Sequence, residues 1–79
     1  MAADGVTMRR RILGEILLYT REQGYPPTVR ELGAAVGLAS KSTVIYHLRI
    51  LELDGQIVRA DRLARGIRLT EMGATGGRR

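Results

Sequence analysis

Ser40, Lys41, Ser42 and Thr43 put three hydroxyls and one ammonium in four consecutive positions, directly after Gly37-Leu38-Ala39. Serine and threonine hydroxyls donate to or accept from base edges, and a threonine methyl can meet a thymine methyl. Of the thirteen basic residues in the 79-residue chain twelve are arginine and one is Lys41, and the net charge is +5. The planar arginine fork matches phosphate oxygens and guanine edges in a way that a lysine ammonium does not. This balance makes nucleic acid the first partner to consider. A genome rich in arginine codons would leave the same composition as a solvated surface.

Bond-making chemistry has little to draw on. His47 is the lone histidine and there is no cysteine, so neither a metal site nor a disulfide is expected. His47 shares a helix face with Val44, Leu48 and Leu51, and it reads as a semi-buried structural residue bonded to a backbone carbonyl. Lys41 opens a helix, where it stays charged. A general-base lysine needs desolvation or a cationic neighbour, and a serine held against it. Ser40 and Ser42 adjoin it without an evident oxyanion hole. Gly73, Gly76 and Gly77 neither follow a strand nor precede a helix, so they make no phosphate cradle. An enzyme, a cofactor and a small-molecule ligand are therefore not expected.

The elements that must position these side chains are marked locally. Thr7 is placed to cap a first helix, 8–23, with Ile12, Ile16 and Tyr19 in one stripe and Leu13 and Thr20 beside it. Gly24 ends it and Pro26-Pro27 forbid its continuation. Thr28 begins a second helix, 29–36, and Glu31 three residues on completes a capping box. Val29, Leu32 and Val36 face inward, and Gly33 lets a neighbouring helix approach. Gly37 suits a left-handed helix end, and Leu38 plugs the core. Ser40 then caps a third helix, 41–54, that stops at Gly55. The segments 56–59 and 66–70 read as strands of a hairpin, with Ile67 and Leu69 inward and Arg68 outward.

The expectation is a mainly α fold with a small β-hairpin: a three-helix winged helix-turn-helix over residues 7–70, with 1–6 and 71–79 as disordered tails. The start lacks a cationic stretch followed by an apolar run, and no segment reaches the roughly 20 apolar residues of a membrane span. The reading is a cytoplasmic, nucleoid-associated protein without a membrane partner.

Gly24-Tyr-Pro-Pro-Thr-Val-Arg-Glu-Leu32, Gly37-Leu-Ala-Ser-Lys-Ser-Thr-Val44, His47-Leu48, Leu51-Glu52 and Arg65-Gly-Ile-Arg-Leu69 together resemble the amino-terminal DNA-binding domain of the LexA repressors, which control the bacterial SOS response. The resemblance covers roughly residues 8–70. Those repressors continue through a linker into a serine-protease-like domain with a Ser/Lys dyad that dimerises and cuts itself. This chain ends at Arg79, so self-cleavage and the usual dimerisation domain are expected to be absent.

The resemblance implies that the third helix enters the major groove with its first turns at the bases. The family's base-contacting positions fall here on Ser40, Ser42, Thr43, Ile45 and Tyr46. For Ser40, plain capping is an equal alternative; for Ser42 and Thr43 it is a solvated first turn. Ile45 and Tyr46 lie off the Val44/Leu48/Leu51 face and need a reason: thymine methyls and the sugar-phosphate wall, or packing against the wing. Lys41 and Arg49 suit flanking phosphates. Arg30, with Thr28 at the same helix start, lies where free N–H groups can approach a phosphate. In the wing, Arg62 and Arg65 are the candidates for the DNA backbone or minor groove, against a solvated turn. Arg9-Arg10-Arg11 sit unfavourably near a helix N-terminus.

Tyr46, Ile50 and Leu53 form a second apolar stripe on the third helix, and Leu17 and Leu18 are extra on the first. A helix apolar on two faces is buried on two faces. Ile50, Leu53, Leu17 and Leu18 are therefore candidates for pairing as a homodimer on DNA or for a protein partner. The leading reading is a sequence-specific regulator of double-stranded DNA, a bacterial or phage repressor. The alternatives are a winged-helix interaction module, such as a co-regulator or anti-repressor, and a recombination accessory factor.

Overall fold

A computed structural model of the chain describes residues 5–60 and 63–76. The order is α1 (Gly5–Gln23), α2 (Val29–Val36), α3 (Lys41–Leu53), β1 (Ile57–Arg59), β2 (Ile67–Leu69) and α4 (Glu71–Gly76). The three longer helices converge on Ile12, Leu13 and Ile16 of α1, Leu32 and Val36 of α2, and Val44, Leu48 and Leu51 of α3. Ile57 and Ile67 close the core from the hairpin, and Leu38 packs against it from the turn. These are the side chains that helical and strand periodicity pick out, and each contributes about 1.5–3 kcal/mol when fully buried.

Each boundary has a local cause. Gly24, Gly37 and Gly55 take φ of 83°, 78° and 76°, a left-handed conformation that glycine adopts without a Cβ penalty. The hairpin is antiparallel, pairing Ile57 with Leu69, Val58 with Arg68 and Arg59 with Ile67. Ile67 is buried, Leu69 is half-buried and Arg68 is exposed, as the alternation requires.

Two spans differ from the sequence reading. α1 already includes Gly5 and Val6, one turn earlier than a Thr7 cap allows. Arg9, Arg10 and Arg11 therefore lie beyond the first turn, where the dipole acts less strongly on them. The segment after the wing, expected to be a tail, forms α4. Thr70 starts it: its Oγ1 accepts from the Gly73 N–H at 3.2 Å and donates to the Gly55 carbonyl at 2.7 Å. Gly73 is buried against the Gln56 carbonyl, where a Cβ would overlap backbone. A six-residue helix held by a cap and a backbone contact has no apolar period to show. The tail assignments for residues 1–4 and 77–79 lie outside the described residues.

Candidate nucleic-acid interface

The helix-turn-helix is fixed at both of its starts. Thr28 is extended, with φ −79° and ψ 166°. Its Oγ1 accepts from the Glu31 N–H at 3.1 Å, while Glu31 Oε1 accepts from the Thr28 N–H at 2.8 Å. The expected capping box is present. Gly37 and Leu38 then donate their N–H groups to the Gly33 carbonyl, the latter at 2.8 Å. Ser40 caps α3, accepting from the Thr43 N–H at 3.4 Å. That contact is long for a hydrogen bond, and Ser40 stays exposed.

α3 has two unlike sides. Val44, His47, Leu48 and Leu51 are buried; Lys41, Ser42, Tyr46 and Arg49 are exposed, with Thr43 and Ile45 half-buried. Tyr46 is 60% exposed, touching only its neighbour His47 among the ring contacts of the described residues (5.2 Å, edge-on). Ile45 goes elsewhere. It lines a groove between α2, α3 and the wing that also holds Thr28, Arg30, Lys41 and Arg59. The structure thus gathers four of the expected site residues on one concave surface and adds Arg59, a wing arginine that was not among the candidates. Packing beside the wing applies to Ile45, whereas Tyr46 projects free of it. Arg62 lies outside the described residues.

Arg65, a wing candidate for the DNA backbone or minor groove, has partners within the chain. Its guanidinium turns back onto α2, although the residue stays exposed. Nη1 and Nη2 donate to Glu31 Oε1 and Oε2 at 2.8 and 3.0 Å. This bidentate bond and the Thr28 N–H hold the Glu31 carboxyl down at about 2, and the same pairing raises Arg65 further above its usual range. The chemical reason is fork-to-fork matching, and the signal, a carboxylate already fixed by the capping box, was present in the sequence without a way to join it to residue 65.

His47 also departs from expectation. Its Nδ1 contacts Arg9 Nη1 at 3.1 Å rather than a backbone carbonyl. The guanidinium can only donate, so the imidazole accepts. Burial, and then the Arg9 charge, hold its pKa below the usual 6.5. Of the surplus apolar residues, Leu53 is 87% and Leu18 46% exposed. Ile50 is half-buried. Leu17 is half-buried as well, lining a groove with Leu69 and Ala74 of the wing and α4.

A helix-turn-helix whose second helix is exposed along one side, followed by an antiparallel hairpin, defines a winged helix-turn-helix domain. Residues 4–66 match the LexA DNA-binding domain family. The LexA repressor of Roseiflexus sp. (strain RS-1) is 43% identical over 72 residues, 90% of this chain and 33% of that protein. That of Thermobifida fusca (strain YX) is 40% identical over 77 residues, 96% of this chain and 31% of that protein. That of Bacillus mycoides (strain KBAB4) is 53% identical over 67 residues, covering 84% and 33%. The chain belongs to the LexA DNA-binding domain family, and it spans about a third of the length of these relatives.

Proposed function

We propose that this chain binds double-stranded DNA sequence-specifically as the reading head of a transcriptional repressor in the cytoplasm. Family membership supports the nucleic-acid partner. The single observation that carries the reading is the exposed side of α3, where hydroxyls, Lys41, Tyr46 and Arg49 stand clear of a fully packed opposite side. Ser42, Thr43 and Tyr46 meet base edges, Ser40 caps and borders them, and Ile45 faces a thymine methyl or the groove wall. Lys41, Arg49, Arg30 and Arg62 neutralise phosphates, with the α2 start at Thr28 offering N–H groups. Occupying a promoter then excludes polymerase without chemical change to the DNA, and the chain acts as no enzyme.

Pairing of two heads on DNA is the second part of the reading, and Leu53 favours it. A leucine this exposed on a helix end has no cover among the described residues, and two half-sites at fixed spacing raise specific affinity. Ile50 borders it; Leu18 lies on α1.

The test is a salt titration of duplex binding. Neutralising about four or five phosphates per head gives a log–log slope near −4. Binding that is flat between low and moderate salt removes nucleic acid as the main partner.

A further inference from the structure

We propose that Arg65 is a positioning residue, a latch that fixes the wing against the capping box of α2, and that it is not a phosphate contact. The inference rests on the DNA-binding reading above for its functional consequence, though the latch itself belongs to the free protein.

Four separated pieces of chain meet at this one guanidinium. Besides the bidentate bond to Glu31, Nη1 lies 3.2 Å from the Tyr19 hydroxyl of α1 and 3.0 Å from the Pro26 carbonyl of the connecting loop. The ring of Tyr25 stands 4.6 Å from Cζ and that of Tyr19 5.9 Å, and the two rings meet edge-on at 6.0 Å. Nη1 carries two hydrogens and faces three acceptors, so at least one is shared. Such a set takes up both Nη1 hydrogens and one on Nη2, so a phosphate would compete with the Glu31 carboxylate for the face of the fork. Arg65 is also paired in charge: with Glu31 it forms the one ion pair among the described residues, at 2.8 Å.

The wing needs such a fastening. Its strands are three residues each, and a two-stranded hairpin is marginal alone. Beyond the ladder, its turn is held by Ala60 N–H to Gly66 O at 3.1 Å, Leu63 N–H to Ala60 O at 3.0 Å and Gly66 N–H to Leu63 O at 3.2 Å. None of these ties the wing to the helix-turn-helix. Arg65, next to Gly66, does so at the residue whose carboxylate also closes the α2 cap. Ile57 and Ile67 seat the strands in the core; this contact fixes the outer turn of the wing, and with it the groove holding Arg30, Lys41, Ile45 and Arg59.

The two roles differ in what removal does. For a latch, Arg65→Ala frees the wing and leaves Glu31 as a bare carboxylate beside the groove, where it repels phosphate. Glu31→Gln keeps an oxygen for the Thr28 N–H, because glutamine also serves in a capping box, but it loses the ionic fork.

Hydrogen exchange on the free protein reads the latch directly. The Ala60 and Gly66 amides should exchange roughly threefold to tenfold faster in Arg65→Ala and in Glu31→Gln, while α1 and α3 amides keep their rates. Arg65→Lys, which lacks the planar fork, should resemble them, and it decides the matter should the alanine variant unfold. On duplex DNA the double variant should bind no more weakly than Arg65→Ala, because both changes break one contact and the second removes the repulsive charge. Unchanged wing exchange in Glu31→Gln and Arg65→Lys overturns the proposal. So does tighter DNA binding by Glu31→Gln, joined to a salt slope about one unit flatter in Arg65→Ala irrespective of residue 31, since a freed guanidinium would then be contacting phosphate. Absence of duplex binding by the wild type would reject the DNA reading alone, because the exchange result stands without DNA.

Discussion

Replacing Gly33 by alanine tests how α2 and α3 are brought together. An added Cβ would lie 2.9 Å from the Leu38 carbonyl oxygen and 3.2 Å from Val44 Cγ2. The nearer obstacle is backbone in the turn, and the Leu38 N–H is itself bonded to the Gly33 carbonyl at 2.8 Å, so the turn cannot swing aside without losing that bond. Two effects of opposite sign compete. Alanine is favoured over glycine inside a helix by about 0.8–1 kcal/mol. Overpacking costs about 1–3 kcal/mol, and a backbone obstacle places it in the upper half of that range. The net is a loss of about 1–2 kcal/mol, which in a domain of this size lowers Tm by roughly 5–15 °C. Relief of the clash pushes the turn and the Ser40 end of α3 outward, so duplex affinity should fall further than the unfolded fraction explains. Urea denaturation followed by circular dichroism gives the first quantity; duplex titration under fully folded conditions gives the second. A Gly33→Ala protein as stable as wild type, or more stable, refutes the reasoning, because helix propensity would then be acting without a close approach to oppose it.

Stability should fall on going from neutral to mildly acidic pH. The pKa of His47 is lowered in the folded state by burial and by Arg9, so its contribution is present above the unfolded value of about 6.5 and is lost as pH falls through the folded one. His47→Gln should flatten that part of the urea-midpoint profile, and a profile unchanged by the substitution removes the Arg9 contact from the account. Glu31 acts in a separate window, its contribution being lost as pH falls from 4.5 towards about 2. Leu53→Arg should leave the melting temperature unchanged, given its exposure, while cooperative binding to a two-half-site duplex is lost; retained cooperativity would take Leu53 out of the pairing surface.

Legibility from sequence followed the range of the forces involved. α2 and the turn could be read to the residue, because Thr28, Glu31, Gly37 and Ser40 each do a local job that their own chemistry announces. The core faces were equally plain, since Ile12, Ile16, Leu48 and Leu51 repeat at the helical period. α4 was missed because Thr70 and the bare Cα of Gly73 hold it, and neither makes a pattern. The fate of Arg65 depends on Glu31, thirty-four residues away, and that of His47 on Arg9, thirty-eight away. A cation in a polar turn carries no mark of whether water, phosphate or a distant carboxylate will receive it. That Leu17 lines a groove with Leu69 and Ala74 was out of reach for a related reason, since α4 was not expected there.

The central claim is that the exposed side of α3 reads DNA sequence, and selection of bound duplexes from a randomised pool tests it most directly. Wild type should enrich one consensus, and Thr43→Ala or Tyr46→Ala should change the preferred bases, with discrimination falling by about 1–3 kcal/mol per lost contact. No enrichment by the wild type, or a consensus that both variants leave untouched, would contradict it.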